Sequence, residues 1–181
     1  MIKIPSDFTY SKYGLKVRLV REEDAPFILE LRTNKKLSKY LHETDNDLNK
    51  QIEWIREYKK REEEGKDYYF IYFSKDKKPV GVNRIYNITE TSSTGGSWIC
   101  RDDATLEESL GTYFLNSDIY DMFEIICGPY TISKGNNHVL KFHLSMGAEI
   151  IREDSEEYLV RINYRKYIKA KERYIKLLGL I

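Results

Sequence analysis

The stretch Ser133-Lys134-Gly135-Asn136-Asn137-His138-Val139-Leu140-Lys141-Phe142-His143-Leu144-Ser145-Met146-Gly147-Ala148 spaces Val139, Phe142 and Met146 three and four residues apart. That spacing predicts a helix over residues 136–146, with its apolar stripe on one face and Gly147 as its stop. A strand over 126–133, containing Gly128-Pro129, precedes it, and strands over 148–152 and 157–162 follow. A basic helix carrying Tyr164, Tyr167, Ile168, Lys171, Tyr174 and Ile175 then closes the chain.

Working towards the N-terminus, Leu106 to Met122 reads as a helix and Gly95 to Cys100 as a short strand. The aromatic run Tyr68 to Phe73, the turn Lys75-Asp76-Lys77-Lys78-Pro79 and the run Val80 to Ile88 make a hairpin. A long helix capped at Asp45-Asn46-Asp47 and ended by Gly65 comes before it, with Leu48, Ile52, Ile55 and Tyr58 apolar and a charge run on its other face. Leu15 to Val20 alternates as a half-buried strand, and Glu22-Glu23-Asp24 ahead of Pro26 opens a first helix that ends near Asn34. The order is strand, helix, helix, three strands, helix, strand, helix, two strands, helix. This is an α/β chain with a mixed, mostly antiparallel sheet flanked by helices. No glycine follows the first strand, so it is not a dinucleotide fold.

At 181 residues and 21.5 kDa, one domain over 1–181 is expected, with 164–181 a C-terminal helical extension. Hydrophobic residues at 41% against 33% charged allow a soluble core. Lys and Arg number 30 against 29 acids, so no net field gathers nucleic acid or an anionic membrane. Two Cys and a polar start predict free thiols and a cytoplasmic protein. Three His without His-x-x-x-His or Cys-x-x-Cys spacing give no metal site. Cys100 reads as a buried thiol at a strand end rather than a nucleophile.

Element order and motifs together resemble the GNAT family of acetyl-CoA-dependent N-acetyltransferases over residues 14–165, near its ribosomal-protein and amino-sugar branch. Leu15-Lys16-Val17-Arg18-Leu19-Val20-Arg21-Glu22-Glu23-Asp24 matches the family's first strand and helix start. Gly96-Ser97-Trp98-Ile99-Cys100 matches its splayed strand, and residues 133–148 match its next strand and helix. The resemblance implies that acetyl-CoA is the co-substrate, with no metal, and that transfer to a primary amine is direct, in a ternary complex. Backbone at Trp98, Ile99 and Cys100 would hold the pantetheine and thioester, Ser109, Leu110, Gly111 and Thr112 the pyrophosphate, and Asn136 and Phe142 the arm. His143 stands where many members carry a proton-donating Tyr, and is the expected acid.

Two departures bear on the function. The family's glycine-rich phosphate loop is replaced by Arg101-Asp102-Asp103-Ala104-Thr105-Leu106-Glu107-Glu108, whose four acids oppose phosphate and whose Asp102-Asp103 reads as a helix cap. The family's acid at the start of the splayed strand is Thr94-Gly95 here, which leaves Glu30, His42 and Glu43 as candidate bases. Arg32 and Arg84 are the candidate acceptor contacts, because a planar guanidinium suits a carboxylate or phosphate. The Tyr run at 68, 69, 72 and 86 reads as sheet packing. A small amine acceptor, such as an amino sugar, is expected, with a homodimer admitted. The alternatives are a protein N-terminal acetyltransferase and a degenerate, non-catalytic interaction module.

Overall fold

The computed structural model describes residues 3–180. Two compact units divide the chain, one through Ile126 and the other from Cys127 onward.

In the first unit five antiparallel strands form a sheet in the order β1 (Thr9–Lys12), β2 (Leu15–Leu19), β3 (Asp67–Ser74), β4 (Pro79–Tyr86) and β5 (Thr94–Cys100). Strand β1 has no counterpart among the elements expected from the sequence. It is short, mostly exposed and polar, and its turn uses Tyr13 and Gly14 with φ of 55° and 72°, a hairpin geometry without the usual Asn-Gly mark. The middle strand β3 is buried on both faces, which is why Asp-Tyr-Tyr-Phe-Ile-Tyr-Phe is a continuous run rather than an alternating one.

The two faces of β3 have different partners. Tyr69 and Ile71 pack with Ile28 and Leu31 of α1 (Ala25–Thr33) and with Ile55 and Tyr58 of α2 (Leu48–Glu63). On the other face the Tyr72 hydroxyl reaches Asn116 of α3 (Leu106–Met122), and Gly111 of α3 lies against Leu15 of β2. Helix α2 begins where the sequence places it, with Asp47 accepting from the N–H groups of Asn49 and Lys50. Among Glu22, Glu23 and Asp24, the buried Asp24 does more than favour a helix dipole: Arg18 grips its carboxylate at 2.7 and 2.8 Å.

The second unit carries a three-stranded antiparallel sheet in the order β6 (Tyr130–Ser133), β8 (Glu157–Ile162), β7 (Ala148–Glu153). Helix α4 (Asn137–Ser145) and helix α5 (Tyr164–Leu178) complete it. Strand β6 starts four residues later than the sequence suggests, after Gly128-Pro129, because proline cannot continue a ladder. Helix α5 buries Tyr167, Ala170 and Lys171. No helix among the described residues is long and apolar enough to cross a membrane.

Candidate active site

Strand register places four polar or aromatic side chains on the α1–α2 face of the first unit's sheet. Asp67 lies opposite Tyr86 and Tyr69 opposite Arg84, and directly paired residues share a face. Beside them opens a cleft of about 490 Å³, lined among others by Arg32, His42, Glu43, Trp54, Tyr69, Arg84, Tyr86 and Ser97. Arg32 and Arg84, the two acceptor contacts expected from the sequence, meet in this one cleft. Of the candidate bases, His42 and Glu43 line it too, whereas Glu30 lines a different depression beside Arg101, Asp102 and Asp103.

Arg84 is held on three sides. Its Nε donates to Asp67 Oδ1 at 2.7 Å and its Nη2 to Oδ2, while the Trp54 and Tyr86 rings lie 5.2 and 4.7 Å from its guanidinium carbon. Arg61 donates to the same Asp67 from the far side at 2.9 Å. Burial pulls the Arg84 pKa down, but the hydrogen bonds and charge of Asp67 outweigh it and hold the guanidinium above its ordinary value. Arg32 donates to neutral oxygens, Thr44 Oγ1 at 2.7 Å and the His42 carbonyl at 3.1 Å. Burial pushes Tyr69 up to about 12, with Arg32 and Arg84 both pulling the other way, so this phenol stays protonated. Trp54 and Asp67 are site residues that the sequence does not single out, and Tyr69, which reads as sheet packing, also lines the cleft. Tyr86 can lie flat against β5 because Gly96 faces it: a Cβ there would sit 3.0 Å from the ring.

Strand β5 ends the five-stranded sheet, so its outer row of backbone N–H and C=O groups has no strand partner in that sheet. Opposite Asn83 the ladder fits in both Ser97 and Trp98, and Ser97 has φ 52°. This bulge turns the strand outward at the segment expected to hold the pantetheine. Ile99 points into the core, and the Trp98 indole donates to Thr112 Oγ1 at 2.9 Å, so these residues can offer only backbone there. Burial raises the Cys100 thiol, in keeping with an inert rather than a nucleophilic cysteine.

The phosphate expectation for Ser109 to Thr112 does not survive the helix geometry. Helix α3 begins at Leu106, so Ser109 donates to the Thr105 carbonyl and Leu110, Gly111 and Thr112 are buried in the second turn. Their N–H groups are spent inside the helix. Asp102-Asp103 is not the cap either. Thr105 Oγ1 accepts from the Glu108 N–H at 3.1 Å and Glu108 accepts from the Thr105 N–H at 3.0 Å, a reciprocal capping box. Three of the four acids are thereby engaged: Asp102 by Lys36 at 2.6 Å, Asp103 by Arg101 at 3.1 Å, and Glu108 by Arg101 and the cap. Arg101 keeps a buried Nε with no hydrogen-bond acceptor among the described residues, its approach to Asp103 being out of line. The N–H groups of Leu106 and Glu107, which have no intrahelical carbonyl to donate to, suit an anion at this turn.

In the second unit, Asn136 caps α4 through its side-chain oxygen on the Val139 N–H, as the helix-opening position requires. Phe142 stacks edge-on against His143. The Tyr130 hydroxyl lies 2.7 Å from His143 Nδ1. Burial pushes the imidazole down to about 4, so His143 is neutral at pH 7 and does not serve as a cationic acid. Any proton it gives comes from a neutral ring whose other nitrogen is held by Tyr130.

No family model matches the sequence, and no curated protein does. Solved structures do. FdhC, described as a nucleotide-linked sugar GNAT, superposes with a TM-score of 0.79 at 36% identity, over 93% of this chain and 97% of its own. The chain belongs to the GNAT family. The spermidine N-acetyltransferase of Vibrio cholerae, solved with CoA and spermine, is similar to this GNAT in fold, with a TM-score of 0.69 at 16% identity over 86% of this chain and 98% of its own. This GNAT is therefore an N-acetyltransferase, and its expected mixed α/β architecture is the observed one.

Proposed function

We propose that this GNAT transfers the acetyl group of acetyl-CoA to the amine of a nucleotide-linked amino sugar. The acceptor cleft carries the reading: its cations, aromatic rings and two acidic side chains, Glu43 and Asp45, suit a ligand that is at once aromatic, anionic and aminated. The relative of 36% identity is a nucleotide-linked sugar GNAT, which points the same way.

The co-substrate supplies an acetyl group activated as a thioester. The free edge of β5 at Trp98, Ile99 and Cys100 offers backbone groups to its amide arm and thioester carbonyl, and the first-turn N–H groups of α3 at Leu106 and Glu107 are the donors for its phosphates. Glu43 and His42 stand on the cleft wall to take the ammonium proton, directly or through water. His143 passes its Nε2 proton to the departing thiolate as the Tyr130 hydroxyl passes its own to Nδ1, so the ring stays neutral and the Tyr130 phenolate is reprotonated from water. With three of its acids engaged, the loop at 101–108 no longer favours a non-binding module.

Acetyl-CoA at a hundred times its dissociation constant is expected to stabilise the protein by about 2.7 kcal/mol, read as a rise in melting temperature. No rise at millimolar acetyl-CoA overturns the enzyme reading. In a thiol-release assay, nucleotide-linked amino sugars should give a higher kcat/KM than either spermidine or a peptide N-terminus. Faster turnover of either comparison amine overturns the acceptor assignment.

A further inference from the structure

We propose that Arg32, Tyr69 and Arg84 form one phosphoryl-binding clamp, which holds a diphosphate of the acceptor, and that Asp67 is the positioning residue that sets its geometry. All three side chains line the one cleft, and Tyr69 lies directly opposite Arg84 across the β3–β4 ladder, so two cations and a neutral donor share one wall. Arg32 spends its charge on no carboxylate among the described residues, and its partners are a threonine hydroxyl and a carbonyl. An oxyanion is the complement such a donor set lacks.

Arg84 is prepared for the same ligand in a different way. Asp67, 2% exposed, takes the Nε–Nη2 side of the guanidinium, and the Trp54 and Tyr86 rings cover its planes. What remains is the Nη1–Nη2 edge, a fork whose spacing matches two oxygens of a phosphoryl group. A second cation, Arg61, shares Asp67, so the carboxylate does not cancel the charge of Arg84. The clamp therefore keeps net positive charge on a rigid mount, which lowers the ordering cost of gripping a diphosphate. Under the acceptor reading given above, Glu43 on the same wall serves the amine and the clamp serves the anion, so the cleft selects a molecule that carries both.

Calorimetric titration of the full chain, with CoA saturating so that its own phosphate site is filled, tests this with UDP, dTDP, GDP and glucuronate as probes. At least one nucleoside diphosphate should bind, more tightly than glucuronate, and both Arg32→Gln and Arg84→Gln should weaken it at least tenfold while leaving CoA affinity within twofold. Arg84→Lys, which keeps the charge and loses the fork, should fall between. Asp67→Asn should raise the acceptor KM at least tenfold and leave kcat and the acetyl-CoA KM within twofold, a split that general loosening does not produce. No binding by any diphosphate, or unchanged affinity in both glutamine variants, overturns the clamp. Tighter binding of glucuronate overturns the phosphoryl assignment. Clamp-dependent diphosphate binding without acetylation of any nucleotide-linked amino sugar overturns the function proposed above and leaves the clamp standing. Acetylation with both glutamine variants binding normally does the reverse.

Discussion

Replacing Gly147 by alanine is expected to destabilise the protein by about 4 kcal/mol, read as a lowered urea midpoint. Gly147 follows α4 with φ 90°, a region in which a side chain costs about 1–2 kcal/mol. Space adds to the strain. A Cβ there would stand 2.7 Å from Lys166 Cβ and 2.8 Å from the Tyr167 nitrogen at the start of α5. One of these neighbours is backbone, so the contact is relieved only by moving a helix, at about 1–3 kcal/mol for an overpacked site. The carbonyl of Gly147 also accepts from the Asn163 N–H at 3.0 Å, which ties the α4 stop to the α5 cap. Gly179 supplies the control. It too ends a helix with positive φ, 62°, but a Cβ there meets nothing within 4 Å. Gly179→Ala should cost about 1 kcal/mol, the strain alone. Equal losses in the two variants would mean that close approach is not what requires glycine at 147.

This pair also marks what a sequence conveys. Gly147 was legible as a helix stop because the apolar stripe of α4 ends there, yet nothing in the string says that α5 presses on it. The same division runs through the candidate site. Arg32 is readable from its place at the end of α1, and Arg84 from its place in a hairpin strand. That they line one cleft with Tyr69 depends on the packing of α1 on the sheet and on the register of β3 with β4, which pairs Tyr69 with Arg84 and is set by the hairpin turn. Tyr69 reads as packing in the sequence, and it does pack, its ring against Tyr58, while it also lines the cleft. Asp67 stood outside the aromatic run, and a buried acid at a strand start gives no periodic signal. The phosphate turn differs for another reason. Thr105-x-x-Glu108 is a capping-box string that fixes the start of α3 and so puts Ser109 to Thr112 inside the helix.

Acid should weaken the folded state through His143, by about 3 kcal/mol between pH 7.5 and pH 4 beyond what its titratable neighbours contribute. Burial holds its pKa at about 4 in the folded protein, against about 6.5 in an unfolded chain. A lowered pKa means that the unfolded chain takes up the proton first as the pH falls. The contribution is therefore complete above pH 6.5 and is lost progressively between pH 6.5 and pH 4. Glu149 and Asp154 in the same unit have carboxylates lowered by hydrogen bonds from Lys166 and from the backbone N–H of Glu156 respectively, so they titrate below about pH 4.5 and cancel between variants. His143→Gln keeps a polar end for the Tyr130 hydroxyl and cannot titrate. Its unfolding free energy should fall about 3 kcal/mol less than that of the parent over this range, measured by urea denaturation at half-unit pH steps. Identical pH slopes in the two proteins would place the imidazole in water and remove the case for a neutral His143. The same neutrality predicts a kcat profile with no limb near pH 6.5 from this residue, so an acid limb at that pH that disappears in His143→Gln would restore the cationic acid expected from the sequence.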